Sequence, residues 1–398
     1  MKKLAKIYYQ IFFKMEDCIK LPPFEVEEVN DVFNLDNSQL LDWGLLQNKI
    51  PEAWKISKGE GINVMVIDTG KPKHEDIKEG LPGMDKNFVK NEDVFDSNGH
   101  HTHCAGIILA ENNNKGSVGV APKANLISVK VLDKNGRGST LNLISSLEYA
   151  LEVKPDIISM SLGSFVPHPK MRELVKKLYE QNIPIVCAAG NSGERGVNYP
   201  AAYEETISIA AHDKNGNIAS FSSKGPEVDW AAPGVNIYST YLNNKYARLS
   251  GTSMACPFAV GLIALMLSKH RKLEKEGKPN DCKTVEQIKS HLLRFSVDKG
   301  QEGKDKSWGF GIIDILKLLK SLSPKPKPDK PKPKPETPEE EKPKWFNKKI
   351  TWIISASFLI IAIILSFLSY CNNNEELPSA PFIREDGTVD WDKKFELE

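Results

Sequence analysis

The chain has 398 residues, and its 53 lysines and arginines nearly balance its 52 aspartates and glutamates, which leaves a net charge of +1. This balance argues against a strongly basic nucleic-acid-binding protein, so no nucleic-acid partner is expected. Charged residues make up 26% of the chain and apolar residues 40%, which excludes wholesale disorder. Six cysteines are too few for a disulfide-stabilised scaffold.

Residues 1–38 are predicted to form a leader ahead of the main domain. Lys2, Lys3 and Lys6 precede a short apolar run at residues 7–13. The run is short and no small-residue cleavage site follows it, so the pattern is not typical of a secretory signal peptide.

Residues 39–322 are predicted to form one domain in which short apolar strands alternate with helices. Strands are expected at 63–67, 126–131, 157–160, 183–187 and 206–210, and helices at 140–151, 170–181 and 253–270. Continuous apolar strands separated by helices indicate an α/β fold with a doubly wound parallel sheet that is covered on both faces. Functional residues of such folds lie at the carboxyl ends of the strands.

The C-terminal part of the chain changes composition abruptly. Residues 323–349 are predicted to be a linker, because proline and lysine dominate them and they cannot bury a core. Residues 350–370 carry no charge and, as a helix of about 32 Å, are long enough to span a membrane. An acidic tail follows at 371–398.

The charges beside the predicted span indicate its orientation. Four lysines lie within 15 residues on its N-terminal side, whereas Arg384 is the only basic residue within 15 residues on the other side. Since positive residues remain in the cytoplasm, the main domain is expected inside the cell and the tail outside. The C-terminal helix would thus anchor the protein in the membrane. The sequence does not indicate the oligomeric state.

Four polar residues occupy the positions at which catalytic groups are expected. Asp68 ends a strand in V-I-D-T-G, and His100 lies in N-G-H-H-T-H-C-A-G. Asn191 closes A-A-G-N after another strand, and Ser253 opens a long apolar helix in G-T-S-M-A-C-P. Each fragment alone is weak, since a serine at a helix start is usually a cap. Together and in this order they predict a catalytic site.

This set of motifs resembles the subtilisin-like serine proteases, or subtilases, over residues 39–322. Residues 232–235 and 239–242, together with 21–24, are most similar to the intracellular subtilisins. The resemblance implies a serine endopeptidase that acts on polypeptide substrates and needs no cofactor for catalysis. Two alternatives stay open: a catalytically weak pseudoprotease that holds peptides, and a protease dedicated to the maturation of one precursor.

The resemblance implies a role for each of the four residues. Ser253 would be the nucleophile, His100 its general base and then acid, and Asp68 the carboxylate that orients the imidazole. The Asn191 amide and the Ser253 backbone N–H would form the oxyanion hole.

The resemblance also implies a substrate-binding cleft. Its expected residues are Leu132, Gly136, Gly138, Ser161, Leu162, Gly163, Ala189, Gly190 and Asn198. Asn198 stands near the pocket floor where the family usually has glycine, which predicts a shorter pocket. His101 and Phe258 also depart from the family pattern, which has glycine and histidine there.

Two kinds of metal site are indicated. Gln39, Asp76 and Asn113 match positions that supply oxygen ligands to calcium in many subtilisins, although Asx-rich loops are also ordinary turns. The cluster of His100, His101, His103 and Cys104 has residue types that bind zinc, and a metalloenzyme is the corresponding alternative to the triad.

The leader contains a predicted inhibitory segment. Leu21, Pro22, Pro23 and Phe24 resemble the element with which intracellular subtilisins block their own cleft. Proline fixes φ and offers no N–H, so this segment is expected to kink in the cleft and to resist cleavage. The alternative is an extended leader that makes no such contact.

Overall fold

The structure, a computed structural model, describes residues 18–30, 39–278 and 281–322. The predicted linker, membrane span and acidic tail lie outside these residues. The leader is described only from Cys18 to Asn30.

The described residues form a set of strands and helices that we number in chain order. The strands are β1 (Cys18–Lys20), β2 (Glu25–Asn30), β3 (Asn63–Asp68), β4 (Lys86–Asn87), β5 (Asn125–Lys130), β6 (Arg137–Ser139), β7 (Ile157–Met160), β8 (Ile185–Ala188), β9 (Ile207–His212), β10 (Trp230–Pro233), β11 (Ile237–Thr240), β12 (Tyr246–Ser250), β13 (Ser296–Val297) and β14 (Ile312–Ile313). The helices are α1 (Trp43–Gln47), α2 (Ile50–Ala53), α3 (His100–Leu109), α4 (Thr140–Val153), α5 (Pro169–Glu180), α6 (Thr252–Lys275), α7 (Val285–Arg294) and α8 (Ile315–Ser321).

Seven strands form a central sheet in the order β10-β9-β8-β7-β3-β5-β4, and every neighbouring pair is parallel. β4 and β5 lie on one side of β3, and β7 to β10 lie on the other, so the direction of winding reverses at β3. The predicted doubly wound parallel sheet is therefore confirmed. Ligand sites of such sheets lie outside the strand ends at the reversal, and Asp68 is the last residue of β3.

Both faces of the sheet are buried, as β3 illustrates. Successive side chains of a strand point to opposite faces. Val64 and Val66 pack in one apolar cluster with residues of α3 and α6, whereas Met65 and Ile67 pack in a second cluster with residues of α4 and α5. All four side chains are at most 1% exposed. This explains why β3 is apolar along its whole length instead of alternating.

α6 runs through the core from the strand ends of the sheet. It is the one helix in the described part of the chain that is long and apolar enough to cross a membrane, but 89% of its apolar window is buried inside the protein. Helices of this kind are core helices of globular domains.

The leader adds two strands that the sequence did not predict. β1 pairs antiparallel with β6, and β2 pairs antiparallel with β12, which itself pairs with β11. Residues 21–24 connect the two strands and contain two prolines, which cannot donate to a ladder. The leader therefore crosses the main domain in two extended pieces.

Candidate active site

Asp68 and His100 form a buried, hydrogen-bonded pair. His100 Nδ1 lies 2.9 Å from Asp68 Oδ1 and 3.0 Å from Oδ2, and both side chains are fully buried. Burial alone would raise the pKa of Asp68, but the charge and hydrogen bond of His100 outweigh it and hold this pKa below its usual range. An ionised Asp68 keeps the proton of His100 on Nδ1, so Nε2 is the nitrogen that can accept another proton.

Asp96 fixes the start of α3, a role that the sequence analysis missed. Its Oδ1 accepts hydrogen bonds from the backbone N–H groups of Asn98 and Gly99, each at 3.0 Å. Its Oδ2 accepts from Thr102 N at 2.9 Å and from Thr102 Oγ1 at 2.6 Å. These bonds satisfy N–H groups that a helix start leaves without partners, and they hold His100 in place. The D-S-N-G pattern is typical of such a turn and could have indicated it.

Ser253 lies in the first turn of α6 and is fully buried. Cys104 connects it to His100, because its Sγ donates to Ser253 O at 3.3 Å and lies 3.8 Å from His100 Nδ1. Ser253 Oγ donates to Ser161 O at 3.5 Å, and His100 Nε2 has no hydrogen-bond partner among the described residues. Asp68, His100 and Ser253 thus meet at one site, while the serine hydroxyl is turned towards Ser161.

Asn191 presents its amide beside Ser253. Its Oδ1 accepts hydrogen bonds from Thr252 N at 2.9 Å and from Thr252 Oγ1 at 2.7 Å, which fixes the orientation of the amide group. Its Nδ2 donates to the carbonyl oxygen of Pro23. Gly190 has a φ of 113°, which favours glycine, and it brings Asn191 to this position. The predicted oxyanion donor therefore holds a carbonyl oxygen of the leader.

The leader lies between two segments that the sequence predicts to bind substrate. Lys20 N donates to Gly163 O at 3.2 Å, and Gly163 N donates to Lys20 O at 3.0 Å. Leu21 N donates to Gly136 O at 3.0 Å. Ile19 lies opposite Gly138 in the pairing of β1 with β6. These are the main-chain bonds of a strand inserted between two others.

Leu21 is the apolar anchor of this contact. It is 8% exposed and packs in one cluster with Leu132 and Leu162. A Cβ placed on Gly136 would lie 2.7 Å from Leu21 Cδ1, so the leucine fills the space above this glycine. Burying a leucine contributes roughly 1.5–3 kcal/mol relative to leaving it exposed.

Phe24 covers the catalytic histidine. Its ring centroid lies 5.1 Å from that of His100. After Phe24, β2 continues along β12, where Glu25 lies opposite Ser250 and Val26 opposite Leu249. The leader thus contacts the main domain on both sides of the catalytic residues.

Asn198 lies between the two segments that are predicted to wall the specificity pocket. Its Nδ2 lies 2.9 Å from the position of a Cβ on Gly190 and 3.6 Å from that of a Cβ on Gly163. Its backbone N–H donates to Ala189 O at 3.0 Å, and its side chain is buried. Asn198 therefore occupies space that a glycine would leave open, and the short pocket stays a prediction.

The other two departures from the family pattern, His101 and Phe258, are also buried. His101 donates its backbone N–H to Thr69 Oγ1 at 3.0 Å, and burial holds the pKa of its ring below the usual range, so the ring is neutral near pH 7. Phe258 packs against Gly44 of α1, where a Cβ would lie 3.1 Å from its ring. Neither side chain places a charge beside the catalytic pair.

The histidine cluster does not converge on one point. His103 Nε2 lies 3.1 Å from Ile237 O and 3.0 Å from Ala247 O, and burial lowers its pKa to about 3. Asp68, His100 and Cys104 do bring possible ligand atoms within 4.8 Å of one another. Burial raises the pKa of Cys104 well above its usual value, which keeps the thiol protonated.

Gln39 meets a ring of carbonyl oxygens. Its Nε2 lies 2.6 Å from Glu111 O, 2.7 Å from Ser117 O and 3.0 Å from Lys115 O. A side-chain amide has two hydrogens, so three carbonyl oxygens converge where only two can be satisfied. Surplus oxygens of this kind are the ligands that Ca²⁺ prefers.

Asp76 completes this oxygen-rich loop. Its Oδ1 accepts a hydrogen bond from Asn113 Nδ2 at 2.9 Å, and its Oδ2 accepts from Ser117 N at 3.2 Å and from the Tyr246 hydroxyl. Gln39, Asp76 and Asn113 thus all belong to or contact the loop at residues 111–117. The Asp76 carboxylate and the loop carbonyl groups supply oxygens of the type that Ca²⁺ prefers.

The comparison with protein families identifies one match. Residues 59–311 match the model of the subtilase family. The Major intracellular serine protease of Bacillus subtilis is 42% identical over 73% of this chain and 92% of its own length.

Two other relatives are longer than the matched region. The Minor extracellular protease Epr of Bacillus subtilis is 38% identical over 68% of this chain, which spans 40% of that relative. The Thermostable alkaline protease of Halalkalibacterium halodurans is 44% identical over 58% of this chain, which spans 64% of that relative. The chain therefore covers less than two thirds of the length of these two proteins.

Proposed function

The chain belongs to the subtilase family, and from this premise we propose that it is a membrane-anchored serine endopeptidase whose leader restrains its activity. The observation that carries the proposal is the buried Asp68–His100 pair, with His100 Nε2 free of hydrogen bonds to any described residue, beside Ser253 at the start of α6. Peptide hydrolysis by a serine nucleophile uses this combination of nucleophile, base and orienting carboxylate.

The residues divide the chemistry as follows. Ser253 Oγ attacks the substrate carbonyl and gives its proton to His100 Nε2, while Asp68 stabilises the imidazolium. The Asn191 amide and the Ser253 backbone N–H stabilise the oxyanion. His100 then passes the proton to the leaving amine, and water hydrolyses the acyl-enzyme by the same route in reverse.

Labelling with a fluorophosphonate tests this assignment. We expect the probe to label Ser253, and Ser253→Ala to lose both labelling and peptide hydrolysis. Activity that persists in Ser253→Ala and disappears with a chelator would falsify the triad in favour of a metal centre. A folded wild-type chain that neither labels nor cleaves, even after removal of the leader, would instead support a peptide-binding pseudoprotease.

Autoinhibition is the second part of the proposal. The support is that the leader's carbonyl at Pro23 accepts from Asn191, that Phe24 lies against His100, and that Leu21 is buried beside Gly136. Pro23 and Pro22 lack N–H groups, so this part of the leader cannot form the full ladder of a productive substrate. Covalent attachment gives the leader an effective concentration on the order of millimolar, so weak affinity suffices.

Removal of the leader tests this part. A chain that begins at Gln39 should be more active than the full chain when both are freshly purified. A synthetic peptide of residues 19–29 should inhibit the truncated chain and resist cleavage. Because truncation can also disturb folding, circular dichroism of the truncated chain is the control. Equal activity of two folded forms, without inhibition by the peptide, would make the leader a spacer.

The membrane anchor rests on sequence alone. Residues 350–370 have the length and composition of a span, and the lysines before them favour a cytoplasmic protease domain. Protease treatment of intact cells tests this topology, since the acidic tail should be digested from outside and the main domain should be protected. Digestion of the main domain from outside the cell would show that the orientation is the opposite of the proposed one.

Two features bear on substrate and cofactor. A cleft that pairs with main-chain groups favours broad specificity among polypeptides. The new protein N-termini in cells that carry the wild-type protein, compared with those in cells that carry Ser253→Ala, would separate general turnover from the maturation of one precursor.

The site at Gln39, Asp76 and Asn113 would in addition hold a structural Ca²⁺. The ion would stabilise the chain near residue 39 and take no part in the chemistry.

A further inference from the structure

A second cluster of possible metal ligands lies far along α6 from Ser253. It consists of His270 in α6, His291 in α7, and Cys282 in the connection between these helices. One ligand atom from each residue lies within 4.8 Å of the other two. The two imidazole rings have centroids 5.2 Å apart and are tilted by 58°.

This cluster is buried. His270 is 1% exposed and Cys282 is 7% exposed, while the side chain of His291 is 11% exposed. A cavity of about 420 Å³ adjoins it and is lined by both His270 and Cys282. Two imidazoles and a thiol are an unusual set of side chains to bury together, because apolar side chains would fill the same space without desolvation of polar atoms.

The hydrogen bonds of His291 leave one ring nitrogen for a ligand. Its Nε2 lies 3.1 Å from Asp281 Oδ1, whereas its Nδ1 is buried and has no hydrogen-bond partner among the described residues. Buried ring nitrogens normally have a partner. A carboxylate on one nitrogen of a histidine, with the other nitrogen directed to the metal, is a frequent arrangement around zinc. The same Asp281 oxygen lies 3.6 Å from His270 Nδ1.

We propose that His270, Cys282 and His291 bind a zinc ion, with water in a fourth position that faces the cavity, and that Asp281 orients His291 from outside the ligand set. Two nitrogens and one thiolate suit zinc, and Ca²⁺ or Mg²⁺ would need oxygen ligands instead. On binding, the Cys282 thiol releases one proton and its sulfur forms the Zn–S bond.

The required movement is small. Zinc distances of about 2.0–2.3 Å place tetrahedral ligand atoms about 3.3–3.8 Å apart, so atoms now within 4.8 Å must approach by about 1 Å. Cys282 can supply this movement because it lies outside the helices. α7, by contrast, is fixed by a capping box between Thr284 and Gln287. The ion would connect the end of the catalytic helix α6 to α7.

Metal titration of the full-length chain tests the proposal. The chain would carry Ser253→Ala to prevent autolysis, would be stripped with a chelator, and would then be titrated with Zn²⁺ and separately with Co²⁺. We expect one tightly bound Zn²⁺ per chain and a thiolate-to-Co²⁺ charge-transfer band. Zinc should also raise the melting temperature by about 5 °C when its free concentration is 100 times the Kd.

Three variants identify the ligands. Cys282→Ser should abolish the charge-transfer band, and Asp281→Asn should weaken zinc binding by about 10–100-fold. Cys187→Ser changes another buried thiol and should leave both measurements unchanged. If the stripped Cys282→Ser and parent chains melt at the same temperature, a folding defect does not explain the loss. Absence of bound zinc in the parent, or an unchanged band in Cys282→Ser, would overturn the proposal.

Discussion

The ring of Phe24 lies against the imidazole of His100, with centroids 5.1 Å apart and planes tilted by 50°. This contact closes the site from the leader side, and Asp68, His100 and Ser253 are all fully buried beneath it. In the proposed autoinhibited enzyme, a substrate would reach Ser253 only after Phe24 moves, and the activity should depend on how tightly the leader is bound.

The buried leader residue Leu21 gives a direct test of this dependence. Leu21→Ala should raise the activity of the full-length chain, because loss of a buried leucine costs about 2–5 kcal/mol and so weakens the leader by roughly 30-fold or more. Val26→Ala is the matched control, since Val26 lies in the same leader but is 49% exposed. Initial rates on a peptide substrate measure the effect. Equal rates for both variants would argue against Leu21 as an anchor.

Asn191 should serve both catalysis and inhibition. We expect Asn191→Ala to lower kcat by about 10²–10³, the loss measured when this type of donor is removed from a subtilisin. The same variant should bind the leader peptide more weakly, because Asn191 donates to Pro23 O. Steady-state kinetics in the Leu21→Ala background separates the two effects. The exposed Asn217→Ala serves as the control, and a change of KM alone would contradict the oxyanion role.

Ser253→Ala should abolish hydrolysis without loss of the fold. The hydroxyl makes only a long bond of 3.5 Å to Ser161 O, so its removal disturbs little packing. Ser208→Ala is the control. It removes another buried serine hydroxyl, in β9, which is three strands away from the Asp68 strand β3, and it should keep full activity. Rates and melting temperatures of both variants provide the comparison.

Stability should decrease as the pH falls below neutral. Burial lowers the pKa of His103 to about 3, and it also lowers the pKa values of His101, His74 and His212. As the pH falls below about 6.5, the unfolded chain binds protons at these residues before the folded chain does, so the free energy of unfolding falls; for His103 this continues down to about pH 3. Each histidine contributes at most about 1.4 kcal/mol per pH unit.

Melting temperatures of the Ser253→Ala chain between pH 8 and pH 5 measure this effect. The lowered pKa of Asp68 acts in the same direction only at more acidic pH, because its stabilising interaction is fully present above the unfolded pKa of 3.8 and is lost as the pH falls through the lowered folded value. His103→Gln should reduce the slope of melting temperature against pH. A melting temperature that is higher at pH 5 than at pH 8 would contradict the sign.

Calcium should stabilise the protein through the loop around Asp76. We expect a calcium chelator to lower the melting temperature and added Ca²⁺, but not Mg²⁺, to restore it, because many carbonyl and carboxylate oxygens favour the larger ion. Asp76→Asn should abolish this calcium dependence, while Asp93→Asn, an acidic side chain outside the loop, should keep it. Persistence of the dependence in Asp76→Asn would place the ion elsewhere.

The α/β core was predictable because its strands are buried on both faces. β7 has the predicted bounds, and α4 extends only two residues beyond the prediction, to Val153. The predicted strand at 183–187 begins only at Ile185, since Pro184 has no N–H for the ladder. The resemblance to the subtilases is confirmed by the family match, and the chain is 42% identical to an intracellular relative.

Long-range pairing could not be predicted from local patterns. β2 has the sequence Glu-Val-Glu-Glu-Val-Asn, and its three glutamates do not suggest a strand, yet it pairs with β12 more than 200 residues later. The cluster of His270, Cys282 and His291 matches no spacing motif, because only the packing of α6 against α7 brings its members together. Asp96 was missed for a different reason. Its D-S-N-G turn pattern is common in proteins, and its role can be recognised only once its position beside His100 is known.

The pairing of the leader on both sides of the catalytic residues has a kinetic consequence. In the proposed autoinhibited enzyme, a molecule whose own leader fills its cleft cannot present that leader to its own Ser253 in a second pose, so a first cut in the leader, outside the resistant residues 19–29, would have to come from another molecule that is already open. Each opened molecule then opens others, and activation should follow a sigmoidal time course. Its lag should shorten as the enzyme concentration rises, and a trace of active enzyme should remove it.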